Sequence, residues 1–539
     1  MAEKTEAYHV RTDQDGPNYD DPSPVELQDK ADMDRMGRNQ ELERNFRPVS
    51  LLGLTCVVMG TWLGMITSSG FSLINGGRAG TIWVYTATWL FSLPVAASMA
   101  EMASMAPSAG GQCRFGTVAS YDRLLLTGFT DHWVSEFAPV RTQKFLSYIS
   151  GWLSALGWQA FIAVSAYQAG NLILILASVG YPGYTPTAWQ GTLITIAVAL
   201  FATAFNTFAA KKLPLFEGVI LFVHILGFFA ILIPLWTLAP MARSSEVFGS
   251  FSNYGGWSSV GGACLVGQLA SAGAFIGVDS AAHLSEEVKN ASLVVPRMMV
   301  LTVLANGAMG LVMIVTYVFA IQDVEEQIVN STAVYPFIDV FEVATGSRAG
   351  AIGMATPIVI LSISMCMNAT AAASRQLWSF GSDDGLPYNK WFTKITKVNS
   401  TLLPVNALFS SLFIVVVLAL LNLGGSEAFN SILGLVTGAV GLTYALSIGC
   451  VLWRRLFGAP LPPARWSLGR SGAFVNAIAL CYEILTTVIS FFPLFAEVTA
   501  RTMNWAIAMF GGVAIICSIN YVVSGRRIYK GPVVRVNSA

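Results

Sequence analysis

Two runs of small and polar residues interrupt long apolar stretches of this sequence and would place backbone groups where a ligand can reach them. The first run is Thr67-Ser68-Ser69-Gly70-Phe71, and the second extends from Leu269 to Asp279. Ser, Thr and Gly favour local bonds and turns over uninterrupted helix. A backbone N–H or C=O freed in hydrocarbon costs several kcal/mol, so such a break persists only where protein or a polar cavity satisfies it. Both runs are therefore candidate ligand sites.

The two runs predict complementary chemistry. A half-helix that begins at residues 67–71 would turn unpaired N–H groups and the positive end of its dipole towards an anionic group such as a carboxylate. In the second run, Gly273 and Gly277 permit unwinding, and Phe275 would close over a ligand as an aromatic lid. The alternatives are that the small residues only allow close helix packing, and that Phe275 faces lipid or the core.

Several ionisable or aromatic residues inside apolar stretches are candidates for gating or proton transfer. Asp279 either caps the half-helix that follows it or acts as a functional carboxylate. Glu217 and His224, seven residues apart, lie on one helix face and would form part of a proton path, although Glu217 is close enough to Lys211 and Lys212 to favour a surface role. The remaining candidates are His283 and Glu286 as a solvated inner gate or interface charges, Glu483 as a lone carboxylate without an assigned partner, and Trp158 as a cavity wall or packing residue.

The composition requires a membrane to surround these sites. The 539 residues are 54% hydrophobic and only 12% charged, with a mean hydropathy of +0.59, whereas soluble proteins carry about 25% charged residues. The net charge is zero, so nothing indicates a nucleic-acid partner. The seven cysteines have no metal-ligand spacing, and we find no nucleophile and base pair and no phosphate-binding loop, so we expect no cofactor, no metal and no enzyme activity.

Apolar runs of about 20 residues predict about twelve membrane helices. The predicted spans are residues 50–77, 81–103, 146–178, 188–209, 215–239, 261–284, 298–321, 349–378, 404–422, 428–453, 473–496 and 503–523. Lys and Arg recur in alternate loops, which places both termini in the cytoplasm. The two breaks fall in the first and sixth spans, equivalent positions in two five-helix halves, and paired interruptions of this kind are typical of the binding site of an inverted-repeat transporter.

The regions outside the spans are short. Residues 1–49 are predicted to be a disordered cytoplasmic tail, residues 50–525 the transmembrane domain, and residues 526–539 a short cytoplasmic tail.

Five motifs in sequence order resemble the amino acid, polyamine and organocation (APC) transporter superfamily, especially the fungal amino-acid, GABA and choline permeases. These motifs are Gly110-Gly111-Gln112, residues 132–139 (HWVSEFAP), residues 151–159 (GWLSALGWQ), residues 275–287 (FIGVDSAAHLSEE), and Ser374-Arg375 through Asp383-Asp384-Gly385-Leu386-Pro387. The resemblance covers about residues 50–525 and implies an all-α integral membrane protein of two inverted five-helix repeats plus two extra helices. It also implies uptake driven by protons.

Three positions depart from the family pattern. Arg78 stands where the family typically has Pro, and Ser382 where it has a basic residue. Residues 113–131 separate two motifs that the family places side by side, so we predict that this segment is a retained intron or an insertion.

The sequence therefore predicts a secondary active transporter in the plasma membrane, or an internal membrane such as the vacuole, for an amino acid or a related amine such as GABA, with protons as coupling ions. A choline or polyamine permease and a non-transporting nutrient receptor of the same fold are the alternatives.

Overall fold

The computed structural model describes residues 24–35, 44–107, 129–181, 183–331, 335–399, 401–424, 427–500 and 502–529. The helices in these ranges are α1 (Pro24–Arg35), α2 (Pro48–Met59), α3 (Thr61–Ile74), α4 (Gly77–Met105), α5 (Phe129–Phe137), α6 (Gln143–Gly180), α7 (Ala188–Phe208), α8 (Leu213–Leu238), α9 (Ser244–Gly249), α10 (Val260–Gly273), α11 (Ser280–His283), α12 (Ala291–Ala320), α13 (Phe337–Thr345), α14 (Arg348–Ser382), α15 (Asn389–Phe392), α16 (Val405–Ala419), α17 (Glu427–Phe457), α18 (Gly472–Ile489), α19 (Ala506–Asn520) and α20 (Arg526–Ile528). Strands β1 (Thr396–Val398) and β2 (Thr401–Leu403) pair antiparallel between α15 and α16.

The predicted all-α membrane architecture of about twelve spans is confirmed. Among the described residues, eleven helical segments are long and apolar enough to cross a membrane, with α2 and α3 counted as one, and the shorter apolar helix α10 belongs to a twelfth. Helices prevail because a bilayer offers no water to backbone polar groups, and only a helix satisfies them within one segment.

The interrupted first span occupies the centre of the molecule. In the most apolar stretch of Pro48–Ile74, 78% of residues are buried, against 11% in Ala506–Ile528 at the periphery. Helix α3 packs between α10 and α12, and α6 packs along both α14 and α17. Both breaks are thereby enclosed by protein.

Both ends of the chain contain more structure than the sequence predicts. Residues 24–35 form α1 within the predicted disordered tail, and the backbone of Phe46 bonds to that of Glu287 and Lys289. At the other end, Tyr529 is fully buried and its hydroxyl lies 2.7 Å from the Ser147 hydroxyl. The predicted insertion at 113–131 lies outside the described residues except for its last three, where α5 begins, and Gly110-Gly111-Gln112 also lies outside them.

Candidate functional site

The first span breaks at Gly60, so the prediction of a break at residues 67–70 is wrong in position. Helix α2 ends at Met59, Gly60 adopts the left-handed conformation with φ of +47°, and α3 begins at Thr61. The left-handed conformation at Gly60 favours glycine, whereas the nearest atom to a Cβ built there, Cε of Met365 at 2.6 Å, is the end of a flexible side chain that can shift. The break lies about two turns nearer the N-terminus than the polar run.

The polar run is helical because its hydroxyls are satisfied within the helix. Thr67 donates to the Leu63 carbonyl at 3.0 Å, Ser68 to that of Gly64 at 2.5 Å, and Ser69 to that of Ile66 at 2.9 Å. Back-bonding of this kind lets Ser and Thr occupy an apolar helix without opening it.

Residues 67–71 instead follow α3 away from the break. Gly70 has no atom within 4 Å of a Cβ built on it, and Phe71 borders a cavity of about 10 Å³ with Phe492 and Asn504. Asn75, just past the end of α3, bonds the carbonyl of Leu494 at 2.7 Å.

The second break lies where the sequence predicts it. Helix α10 ends at Gly273, residues 274–279 form successive turns, and the short helix α11 follows from Ser280. Gly277 has φ of +97°, a value that side chains disfavour, and a Cβ there would lie 2.6 Å from Cγ1 of Val58 in α2. Gly277 therefore allows both the turn and the close approach of the first span.

The two breaks face each other. The Thr61 hydroxyl donates to the Ala274 carbonyl at 3.0 Å, and a Cβ at Gly64 would lie 3.3 Å from that of Ala274. The first intrahelical bond of α3 runs from the Gly64 N–H to the Gly60 carbonyl, so the amides of residues 61–63 precede it. The last carbonyls of α2 lie on the other side of the break, which brings donors and acceptors together in the buried centre.

Asp279 is the polar hub beside the second break, and it does not cap α11 through its side chain. It is fully buried, and three groups surround its carboxylate: Trp158 Nε1 at 3.3 Å, His283 Nε2 at 3.1 Å and the Tyr444 hydroxyl at 2.5 Å. Its oxygens bond to side chains of α6, α11 and α17 instead of the amides that follow it. The predicted cap is wrong, and the alternative of a functional carboxylate stays open.

Aromatic side chains enclose the second break. Phe275 is 7% exposed and lies 5.6 Å, between ring centroids, from Tyr85, whose hydroxyl donates to the Gly307 carbonyl at 2.8 Å. Phe275 therefore lies inside the protein and not against lipid. Trp158 is also buried, and its ring meets that of His283 edge-on at 5.0 Å.

Glu217 does not lie at the surface, contrary to the role that its neighbouring lysines favour. It is fully buried in α8, Asn368 Nδ2 donates to its Oε2 at 2.9 Å, and its Oε1 has no partner among the described residues. A Cβ at Gly53 would lie 2.4 Å from the Glu217 carbonyl oxygen, so α8 packs tightly on α2. Glu217 is thus a buried carboxyl against the first half of the broken helix.

His224 contacts the second half of the same broken helix. Its Nε2 accepts a hydrogen bond from Trp62 Nε1 at 3.1 Å, and it is 1% exposed. An imidazole nitrogen that accepts a bond carries no proton, so this geometry holds His224 in a neutral form. Glu217 and His224 therefore flank the Gly60 break from one helix.

His283 and Glu286 are not solvated, contrary to the prediction of a solvated end. Each is 1% exposed, and His283 belongs to the Asp279 cluster. The next residue, Glu287, is 15% exposed, and its Oε1 pairs with Arg375 Nε of α14 at 3.1 Å. That ion pair and the backbone hydrogen bonds of Phe46 with Glu287 and Lys289 cover this face of the molecule.

Sequence reasoning did not identify Gly60, Tyr85 or Asn306 as site residues. Asn306 of α12 donates from Nδ2 to the Cys56 carbonyl at 2.9 Å, which satisfies one carbonyl freed at the end of α2. Gly60 and Gly64, one turn apart on either side of Trp62, were the available signal for the break. No group of three or more His, Cys, Asp or Glu side chains among the described residues is arranged to hold a metal ion.

The sequence of this chain matches a family model and several known permeases. The family model described as amino acid permease matches residues 49–515. The chain is 25% identical over 511 residues to an uncharacterized amino-acid permease of Schizosaccharomyces pombe, covering 93% of this chain and 90% of that one. It is also 25% identical over 512 residues to a choline transporter of Saccharomyces cerevisiae, covering 93% and 86% of the two chains.

A solved structure shares the fold. The manganese transporter of Eremococcus coleocola superposes with a TM-score of 0.54 at 13% identity, covering 91% of this chain and 98% of that one. At this identity the likeness concerns the fold alone.

Proposed function

We propose, because this chain belongs to the amino acid permease family, that it is a secondary active transporter importing an amino acid or a related amine such as GABA. Alternating access would operate around the breaks at Gly60 and at residues 274–279. The observation that carries the proposal is that these breaks meet in the buried centre, joined by the Thr61 to Ala274 hydrogen bond. Paired breaks of this kind bind substrate at the midplane of inverted-repeat transporters.

The substrate carboxylate would be held by backbone amides at the start of α3. The amides of residues 61–63 are the free N-terminal donors of that helix, where its dipole is positive. Residues 55–66 and 269–283 contain no Lys or Arg, so the helix end is the positive group available there. Residues 67–71 would then line the route to the site, and the carboxylate site moves from the polar run to the Gly60 break.

An ammonium group would be held by carbonyls at the end of α2. The carbonyls of residues 57–59 lack the next helical turn that would supply donors. Phe275 and Tyr85 stand beside the second break and would add roughly 0.5 to 2 kcal/mol of cation–π attraction. Asp279 is already bonded to Trp158, His283 and Tyr444, so it would hold these side chains in place beside the second break.

Proton coupling is part of the proposal and is supported by the buried ionisable groups around the first break. Glu217 has one unpartnered carboxyl oxygen, and His224 accepts a bond from Trp62 next to the amides proposed for the carboxylate. Protonation of either group would change the contacts of one half of the broken helix. The plasma membrane and cytoplasmic termini remain our expectation, supported by the alternation of basic loops.

An uptake competition assay in cells lacking their own permeases tests the function. Labelled GABA, choline, polyamines and neutral or basic amino acids are compared, and an amino acid or GABA is expected to accumulate saturably. The methyl ester of the best amino-acid substrate should compete at least about tenfold less well, which is about 1.4 kcal/mol. Binding without accumulation would indicate a receptor.

Choline is the second candidate, because a Saccharomyces cerevisiae relative is a choline transporter. Choline has no carboxylate for the α3 amides but would fit an aromatic wall such as Phe275 with Tyr85. If choline competes better than every amino acid, the carboxylate site is wrong and the aromatic wall becomes the main recognition element.

A further inference from the structure

Glu483 is a buried carboxyl group without a partner. It lies in α18, is 7% exposed, and makes no hydrogen bond or ion pair with the described residues. An ionisable side chain inside a membrane is costly to bury and tends to be functional. The contacts proposed above for substrate and for Glu217 and His224 do not use it.

The Glu483 side chain borders a cavity that reaches the second break. The cavity is about 30 Å³, and Phe275 and Ile276 of the break form one wall, while Glu483 and Tyr444 line another part. A space of this size admits one or two water molecules, and its polar lining provides the bonds that a water needs. The walls are fixed, since Gln268 of α10 donates to the Tyr482 hydroxyl at 3.2 Å and to Thr486 at 3.3 Å.

Tyr444 connects this cavity to Asp279. Tyr444 lines the cavity, and its hydroxyl donates its single hydrogen to Asp279 Oδ1 at 2.5 Å. A phenol oxygen keeps acceptor lone pairs while it donates. Tyr444 can therefore accept a hydrogen bond from the cavity side, which makes a chain from Glu483 through water and Tyr444 to Asp279.

We propose that Glu483 is a proton-binding residue that exchanges its proton with Asp279 through Tyr444 and a cavity water. The inference deepens the proposed transport function by naming a second protonation site, distinct from Glu217 and His224. In the forward step, Glu483 gives its proton to the water, the water gives one to the Tyr444 oxygen, and Tyr444 gives its original proton to Asp279. Glu483 ends as a carboxylate, Asp279 as a carboxylic acid, and Tyr444 and the water are unchanged.

No basic side chain intervenes along this path among the described residues. The polar residues that line the cavity with Glu483 are Ser92 of α4, Thr437 and Tyr444 of α17, and Tyr482 and Thr486 of α18 itself. Arg455 of α17 is bonded to Glu101 of α4 instead. Beyond Tyr444, the chain of hydrogen bonds reaches Asp279 and then His283. Along this chain of hydrogen bonds, Asp279 is the first carboxylate that a proton leaving Glu483 would reach.

The consequence for transport follows from the position of Asp279. Its carboxylate holds Trp158 and His283 next to the second break, so its protonation would weaken both contacts when the break rearranges. Glu483 would store the proton in one state of the cycle and release it in the other.

Infrared spectroscopy tests the site without any transported solute. The full chain in nanodiscs is titrated, and the carbonyl stretch of protonated carboxyl groups is followed. A band that titrates in the wild type should be missing in Glu483→Gln, and its midpoint should shift in Tyr444→Phe and in Asp279→Asn. The control Thr86→Val changes a side chain of α4 that does not line the cavity and removes no ionisable group, so it should keep the band. An unchanged spectrum in Glu483→Gln overturns the proposal.

Proteoliposomes test the coupling with labelled GABA. With the interior one pH unit more alkaline, a one-proton symporter accumulates substrate up to about tenfold, since a pH unit is worth about 1.4 kcal/mol per proton. Glu483→Gln should lose this accumulation but keep exchange of labelled for unlabelled GABA, and the control Thr86→Val should keep both. Loss of exchange together with accumulation in a folded Glu483→Gln protein overturns the coupling role. If the wild type transports no GABA, the proposed substrate fails, and the infrared result still decides the relay.

Discussion

The Thr61 hydroxyl donates to the Ala274 carbonyl at 3.0 Å, joining two helix breaks that lie 213 residues apart in the chain. This bond satisfies a carbonyl at the end of α10 with a side chain from the start of α3. A side chain of the first break thereby satisfies a backbone carbonyl of the second, so a movement of one break is transmitted to the other. Residues 61 and 274 are also next to the amides and carbonyls that we propose for the substrate.

Replacing Thr61 with Val should lower the apparent affinity for substrate. Valine keeps the shape but removes the donor, which leaves the Ala274 carbonyl unsatisfied at a cost of about 1–3 kcal/mol. We expect a rise in KM of about tenfold or more, measured by saturation kinetics of uptake normalised to surface expression. Thr86→Val is the matched control, because among the described residues Thr86 bonds only the Ile82 carbonyl of its own helix, at 2.8 Å. Equal effects in both variants would contradict a specific role for Thr61.

Replacing Gly277 with Ala should impair transport far more than replacing Gly261. At Gly277 the φ of +97° and the 2.6 Å approach to Val58 both oppose a Cβ, and strain of this type costs about 1–3 kcal/mol. At Gly261, in the first turn of α10, a Cβ meets nothing within 4 Å. Uptake rate and thermal stability of the purified proteins are the measurements.

A double variant separates the two causes at Gly277. Val58→Ala combined with Gly277→Ala removes the collision but keeps the disfavoured φ, so it should restore activity in part. Full recovery would show that backbone strain contributes nothing, and no recovery would show that the contact with Val58 does not matter.

The second break could be predicted from the sequence, whereas the position of the first break could not. Residues 269–279 break as predicted, because α10 ends at Gly273 and the turn at Gly277 has a positive φ that favours glycine. The polar run at 67–70 misled the prediction, since a Ser or Thr hydroxyl bonded to a carbonyl three or four residues earlier fits an intact helix. The Asp279 cluster and the Glu483 cavity combine the second break with residues of α4, α6, α12, α17 and α18, which no local pattern encodes.

Arg78 stabilises the protein through hydrogen bonds to backbone carbonyls more than through its ion pair with Glu246. It is 6% exposed and donates to the carbonyls of Ile321 at 2.9 Å and Gln322 at 2.7 Å. Its pair with Glu246, at 3.0 Å, involves a carboxylate that is 49% exposed, where ion pairs are worth little. This explains why Arg stands where the family typically has Pro, which has no side-chain donor. Within the described part of the chain Ser382, the other departure, bonds only the Trp378 carbonyl, and nothing in the structure explains this substitution.

Arg78→Met should therefore destabilise the protein by about 1.5–3 kcal/mol, the range for hydrogen bonds that involve a charged group. Glu246→Gln should change stability by less than about 0.5 kcal/mol, because solvent screens its charge. Thermal unfolding in the same detergent measures both. A larger loss in Glu246→Gln than in Arg78→Met would show that the ion pair, and not the carbonyl bonds, carries the contact.

Docking of α1 should weaken as the pH rises. Asp29 of α1 accepts from the Asn290 amide at 3.1 Å and pairs with Arg44 at 3.0 Å. Burial raises the pKa of the Asp29 carboxyl above its ordinary value of 3.8, although the Asn290 amide and Arg44 oppose the rise. A carboxyl with a raised pKa binds its proton more tightly when docked. The docked state is therefore most stable below pH 3.8 and loses stability as the pH rises through the raised value.

Hydrogen exchange of the α1 amides, expressed as protection factors corrected for the intrinsic pH dependence, measures this effect. We expect protection to fall with rising pH in the wild type. Asp29→Asn cannot ionise but keeps an oxygen for the Asn290 amide, so its protection should not change over the same range. Protection that rises with pH in the wild type would show that the Arg44 pair outweighs the cost of burying the Asp29 charge, and the direction argued here would be wrong.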